Sequence, residues 1–280
     1  MKTSIPTINN NNKHRKRTAG EALTSSNPQV AIFDYGAGNL FSLKAALERN
    51  GAGNVSIIHD MSSLDKFDGL ILPGVGNFDP AIRSVRQDKR VLAMAIENKK
   101  PILGICLGME MLFNCSQEGT LEGLKILDGQ VLMLDKKKVK VPHMGWNNIQ
   151  IVNHKTNISN YSTKRIIGMD TSDSNIGSSR TSNKGKNANY KKGTYTGCRL
   201  LRGIQNNSWV YFVHSYRILA GNTEIVFANA KYGDNEIPAV IEKGNIFGTQ
   251  FHPEKSGKIG SQIIKNFLGC CFRTPNVEDK

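Results

Sequence analysis

From residue 29 onward the chain alternates two kinds of apolar pattern. QVAIFDY (29–35), VSIIHD (55–60), DGLILPG (68–74) and PILGI (101–105) are short apolar runs punctuated by Gly, Pro or Asp. That is how strands buried on both faces read. Between them, apolar residues recur at helical spacing. Leu40, Leu43 and Leu47 follow GAGN, and PAIRSVRQDKRVLAMAIENK (80–99) carries proline in its first turn. LGMEMLFNC (107–115) is predicted as a further helix. Strand alternating with helix predicts a parallel sheet covered on both faces. After Gly129 the rhythm changes to strands and turns: QVLML, VPHMGWNNIQIV, WVYFVHSYRI, EIVFANAKY, AVIEK and IFGTQF, closed by a helix in KIGSQIIKNFL.

The expected fold is therefore α/β, a mixed and mostly parallel sheet flanked by helices, in one domain over residues 29–272. Residues 1–28 read as a disordered basic tail and 273–280 as a C-terminal tail. Residues 152–207, rich in Ser, Asn, Gly and Lys with almost no apolar period, read as a long basic surface insertion. Lengthening a loop costs only about 0.6 kcal/mol per doubling, so such an insertion is tolerable.

Charge changes this picture little. The net charge of +14 on 280 residues invites a nucleic-acid reading, yet residues 1–28 and 152–202 contribute +4 and +8 of it, leaving +2 for the body. A solvated tail and loop explain the balance, and a nucleic-acid surface is the minor alternative. The five cysteines (Cys106, Cys115, Cys198, Cys270, Cys271) show no CxxC spacing, which suits a reducing cytoplasm better than a disulfide framework or a zinc site. No apolar run approaches the length of a membrane span, and the first twenty residues lack the apolar core of a secretory signal; a cytoplasmic location is expected.

The chemistry concentrates at two places. GICLG puts Cys106 between Gly104 and Gly108, just after a strand. It reads either as a small buried hydrophobe or as the thiol version of a nucleophile elbow, exposed at a helix N-terminus that favours the thiolate. A free cysteine is mostly thiol at neutral pH, so it needs a base. IFGTQFHPEKSGK (246–258) offers one: a strand ends at His252, proline breaks it, and Glu254 stands two residues on to hold the imidazole tautomer. A metal site using His143, His214, His252 and Glu254 is the alternative, but no HExxH-like pair supports it.

An elbow cysteine with a late strand-end His-Pro-Glu resembles the class I glutamine amidotransferases, whose triad is Cys, His and Glu in this order. DYGAGNLFSL (34–43), LPGVGNF (72–78), VPHMGWN (141–147), YFVHSYR (211–217) and FHPEKSGKIG (251–260) resemble in particular the glutaminase subunits of imidazole glycerol phosphate synthases. The resemblance covers roughly 29–152 and 208–270. It implies the class I glutamine amidotransferase fold and L-glutamine as substrate, with Cys106 as nucleophile, His252 as base and Glu254 as its orienting carboxylate. Gly74, Val75, Gly76 and the Leu107 backbone would form the oxyanion hole. Gly76, Glu110, His214, Ser215 and Tyr216 would contact substrate, and Asn39, Trp146 and Lys255 would meet a partner.

That partner is expected to be a separate (β/α)₈-barrel cyclase subunit, completing a heterodimer that makes imidazole glycerol phosphate and an aminoimidazole carboxamide ribotide in histidine biosynthesis. No cofactor or metal is implied. The chain departs from the family at Glu110, where glutamine is usual. Two alternatives share the motifs: a paralogous glutaminase feeding ammonia to a different acceptor, and a catalytically weakened subunit that only binds its partner.

Overall fold

The computed structural model describes residues 27–36, 40–74, 76–152, 154 and 197–272. Nearly all of the N-terminal tail, the C-terminal tail, residues 155–196 of the expected insertion, and the candidate residues Asn39 and Val75 lie outside the described residues.

A nine-stranded sheet runs through the molecule in the order β2-β1-β3-β4-β12-β11-β10-β7-β8. Its first half comprises β1 (Gln29–Phe33), β2 (Asn54–Ile58), β3 (Gly69–Leu72), β4 (Ile102–Ile105) and β12 (Ile246–Thr249), all parallel. Its second half comprises β11 (Asn235–Lys243), β10 (Val226–Tyr232), β7 (His143–Ile151) and β8 (Ser208–His214), all antiparallel. The sheet is mixed, with more antiparallel pairing than expected. β10, β11 and β12 follow each other through short turns and pair antiparallel as sequence neighbours, while the early parallel strands are joined by crossovers through helices.

Side-chain alternation along the strands feeds two cores. Val30, Ile32, Ile71, Leu103 and Ile105 face α1 (Leu40–Arg49) and α5 (Gly257–Cys271). Ala31, Phe33, Leu70, Leu72 and Ile102 face the other side. There α2 (Phe78–Gln87), α3 (Lys89–Glu97) and a small sheet of β5 (Cys115–Ser116), β6 (Gly129–Met133) and β9 (Tyr216–Ala220) cover them.

Four expectations need correction. The helix read over 80–99 is two helices broken at Asp88, whose carboxylate accepts the Met61 backbone N–H at 3.0 Å. The helix read over 107–115 is one turn, α4 (Leu107–Glu110). Beyond it the Met111 and Leu112 carbonyls accept N–H groups of Leu124, Ile126 and Leu127 in place of helical partners, and Met111, Leu112 and Phe113 are fully buried. WVYFVHSYRI is two strands in two sheets, parting at Ser215, whose carbonyl accepts the Leu134 N–H at 2.9 Å. Finally, the surface reading does not hold for the end of 152–207. Cys198, Leu200, Leu201 and Ile204 are buried in the core against α5. Arg199 donates to Glu242 at 2.7 Å, to Asn245 Oδ1 and to the Gly244 carbonyl, with its guanidinium 4.6 Å above the Phe247 ring. A basic residue in a polar-looking run is here an anchor.

Candidate active site

The elbow explains its glycines. β4 ends at Ile105, and Cys106 adopts φ 45°, ψ −108°, a strained conformation for an L side chain. The turn is so tight that a Cβ on Gly108 would stand 1.9 Å from the Leu72 carbonyl oxygen, and one on Gly104 would stand 2.6 Å from that of Gly108. Only glycine fits at either position.

Cys106 is not the exposed thiol expected from sequence; it is 6% accessible. Its Sγ lies 3.8 Å from the Val213 carbonyl, toward which it donates, and 3.6 Å from Gln250 Nε2. Burial holds the thiol well above its ordinary range, and the nearby Glu110 adds to this; the Leu107 backbone N–H and Gln250 oppose it. One helical turn supplies little dipole, so the help to a thiolate comes from the Leu107 N–H and Gln250 rather than from a helix.

His252 follows the end of β12, and the 3₁₀ turn Pro253–Lys255 swings Glu254 back beside it. Its Nδ1 is 2.8 Å from Glu254 Oε1, an arrangement that puts the proton on Nδ1 and leaves Nε2 as the basic nitrogen. Nε2 is buried and has no hydrogen-bond partner. Gly74 lets His252 and Cys106 come close together, since a Cβ there would meet His252 Cε1 at 2.9 Å and Cys106 Cβ at 3.0 Å. Gly76, in the segment after β3, adopts φ 121°.

Glu110, on the turn after Cys106, is 3% accessible and accepts from Gln250 Nε2 at 3.0 Å. Burial pushes its carboxyl up to about 7. Burial raises the Tyr216 phenol, and Glu118 and Glu110 add to this. His214 and Ser215 hold the β8–β9 corner by backbone and ring contacts. His214 Nδ1 donates to the Tyr216 carbonyl at 2.6 Å, so its Nε2 accepts from His143 Nδ1 at 2.9 Å. His143 Nε2 in turn accepts from Asn147 at 3.3 Å. Every ring nitrogen of His143 and His214 is thereby engaged. Burial lowers the two to about 4 and about 3.

Sequence reasoning missed Gln250, Tyr35, Glu118 and Val213. Gln250 was legible in principle, because it stands two residues before His252 in the same motif. Tyr35 and Glu118 reach the site only through loop paths. Of the expected partner residues, Trp146 is 53% exposed on β7 and Lys255 is exposed; a Cβ on Gly257, two residues beyond Lys255, would lie 3.9 Å from the Trp146 ring. Among the described residues, no group of three or more His, Cys, Asp or Glu is arranged to hold a metal ion.

Residues 31–270 match the family model of "Glutamine amidotransferase class-I". The chain belongs to the class-I glutamine amidotransferases. Among curated relatives, this amidotransferase is 38% identical over 245 residues to the imidazole glycerol phosphate synthase subunit HisH of Methanosarcina acetivorans, covering 87% of this chain and 99% of that one. It is 36% identical over 243 residues to the HisH subunit of Synechococcus sp. strain JA-3-3Ab, covering 86% and 93%. Among solved structures, PurLQS from Thermotoga maritima aligns with TM-score 0.59 at 19% identity, over 87% of this chain and 98% of that one. The glutaminase domain of Trypanosoma brucei CTPS aligns with TM-score 0.52 at 15% identity, over 87% and 93%. These likenesses show the shared fold.

Proposed function

We propose that this chain is the glutaminase subunit of an imidazole glycerol phosphate synthase. The observation that carries the reading is Cys106 on its elbow close to His252 across Gly74, with His252 Nδ1 held by Glu254 and its Nε2 without a hydrogen-bond partner. Cys106 attacks the side-chain carboxamide carbon of glutamine while its proton passes to His252 Nε2. The tetrahedral oxyanion forms against the Leu107 N–H and the segment after β3 that holds Gly74 and Gly76. Its collapse expels ammonia, which takes the proton back from His252, and water then cleaves the glutamyl thioester to glutamate. Glu254 stabilises the imidazolium through each transfer.

The ammonia serves a (β/α)₈-barrel cyclase subunit in a cytoplasmic heterodimer of histidine biosynthesis. The docking surface is the open face of β7 and β8, where Met144, Trp146 and Trp209 are each more than half exposed. That face adjoins the site: the Tyr211 carbonyl accepts the His252 N–H at 3.0 Å, and Val213 covers the thiol. With the thiol turned to Val213 and no contact made to His252 Nε2, the resting chain should turn over slowly until the partner docks.

The test is glutamate release from glutamine with the barrel subunit and its nucleotide substrate, comparing wild type with Cys106→Ala. Partner-dependent turnover that vanishes in the variant is expected. A stable complex without turnover in either protein favours a subunit that only binds its partner. A chain that forms no complex points to a different acceptor.

A further inference from the structure

Behind the nucleophile lies a fully buried chain of three side chains. Gln250, with no accessible surface, offers a single NH₂ group that lies 3.0 Å from Glu110 Oε1 and 3.6 Å from Cys106 Sγ. Its two hydrogens therefore serve one carboxyl oxygen and one sulfur. Its carbonyl oxygen is buried without a partner. Glu110 is the most deeply buried carboxylate among the described residues, and no ion pair reaches it there.

The groups facing this chain share one sign. Glu118, in the loop after β5, bears on both Glu110 and Cys106. Tyr35, beyond β1 with Asp34 behind it, feels Cys106 and Glu110, and its buried hydroxyl has no partner. Tyr216 on β9 feels Glu118 and Glu110. Those acting on Cys106 and Glu110 include no lysine or arginine. Two negative charges held a few ångströms apart behind one amide oppose each other strongly where water is excluded.

We propose that Glu110 is a positioning residue that, through Gln250, governs when the Cys106 thiol gives up its proton. As a carboxylate, Glu110 draws the Gln250 NH₂ toward itself and opposes a thiolate. As a carboxylic acid it releases both constraints, and the thiol proton moves to the unpartnered His252 Nε2, leaving a thiolate–imidazolium pair. Glutamine at this position would offer no such control, because an amide does not titrate. The inference rests on Cys106 being the nucleophile proposed above.

The test reads the thiol without glutamine. Peptide-resolved alkylation of the full chain with iodoacetamide across pH gives a midpoint for each cysteine. In Glu110→Gln the Cys106 midpoint should fall by about one pH unit or more, while that of exposed Cys115 stays put. Glu118→Gln should move it the same way by less. Coinciding Cys106 midpoints overturn the proposal, as does a shift shared by all cysteines, which would report a loosened structure.

A melting series provides a second readout. A carboxyl raised to about 7 by burial favours folding below its ordinary range and loses that contribution as pH rises through 7. The melting temperature of Glu110→Gln relative to wild type should therefore climb between pH 5 and pH 8; a constant difference overturns the buried charge. A shifted midpoint in a chain that never turns over glutamine would sink the glutaminase reading alone, while full turnover with no shift would sink only this one.

Discussion

At the scale of the residue, Cys106 holds a backbone conformation that costs about 1–3 kcal/mol for an L side chain. The strain persists because β4, Gly104, Gly108 and the Leu72 carbonyl leave the chain no other path. What the turn provides is position rather than acidity, since burial and Glu110 hold the thiol in its protonated form. In the proposed mechanism His252 must then take the proton, and its tautomer depends on a single contact at 2.8 Å. Glu254→Gln is expected to lower kcat about 10²–10⁴-fold with little change in KM, because it removes stabilisation of the imidazolium but touches no substrate. Steady-state kinetics with the proposed partner present would check this; an unchanged kcat would remove Glu254 from the proposed triad.

At the scale of the element, β7 and β8 are tied by more than their ladder. The chain Asn147–His143–His214–Tyr216 runs across both strands with every donor and acceptor assigned. His143 also stacks on Phe212 and Tyr232, at 4.8 and 4.0 Å between ring centroids. A proton added to either ring would set donor against donor. Both folded values lie below the ordinary 6.5, so this contribution is complete above pH 6.5 and is lost as pH falls toward 4 and 3. His143→Gln keeps an amide donor toward His214. It should lose about 1 kcal/mol at pH 7, yet decline less steeply on acidification. Urea unfolding at pH 7 and pH 4.5 would show it; parallel declines would mean the two rings do not set the acid sensitivity.

At the scale of the whole molecule, two features join distant parts of the sequence. Residues 197–204 re-enter the core beside α5, pinned by Arg199 across Glu242, Asn245 and Phe247. Arg199→Met should destabilise by roughly 1–3 kcal/mol, since a nearly buried carboxylate loses its charged partner. The urea midpoint would report it, and a neutral result would return this segment to the surface. The other feature is the open face of β7 and β8. Trp146→Ala should weaken the complex with the barrel subunit by about 2 kcal/mol, some 30-fold in Kd, while leaving the pH dependence of Cys106 alkylation unchanged. Titration calorimetry would measure it, and unaltered affinity would place the interface elsewhere.

What the chain's pattern determined alone was the early alternation of strand and helix, the elbow and the His-Pro-Glu turn. Each is written within a few consecutive residues, because steric demand at a tight turn and burial on two faces are local constraints. Gly104 and Gly108 could be read as a turn before any neighbour was known. The tertiary structure decided what depends on contacts between distant residues: the break at Asp88, the single turn after Cys106, the parting of β8 from β9 and the burial of Cys198, Leu200, Leu201 and Ile204. In each case a backbone group or side chain found its partner far along the chain, at Met61, Leu124, Leu134 or Glu242. It also decided the electrostatics of the site. That Cys106 is a buried thiol and Glu110 a carboxyl near neutrality follows from which groups surround them and how little water remains, and no spacing within a motif encodes that.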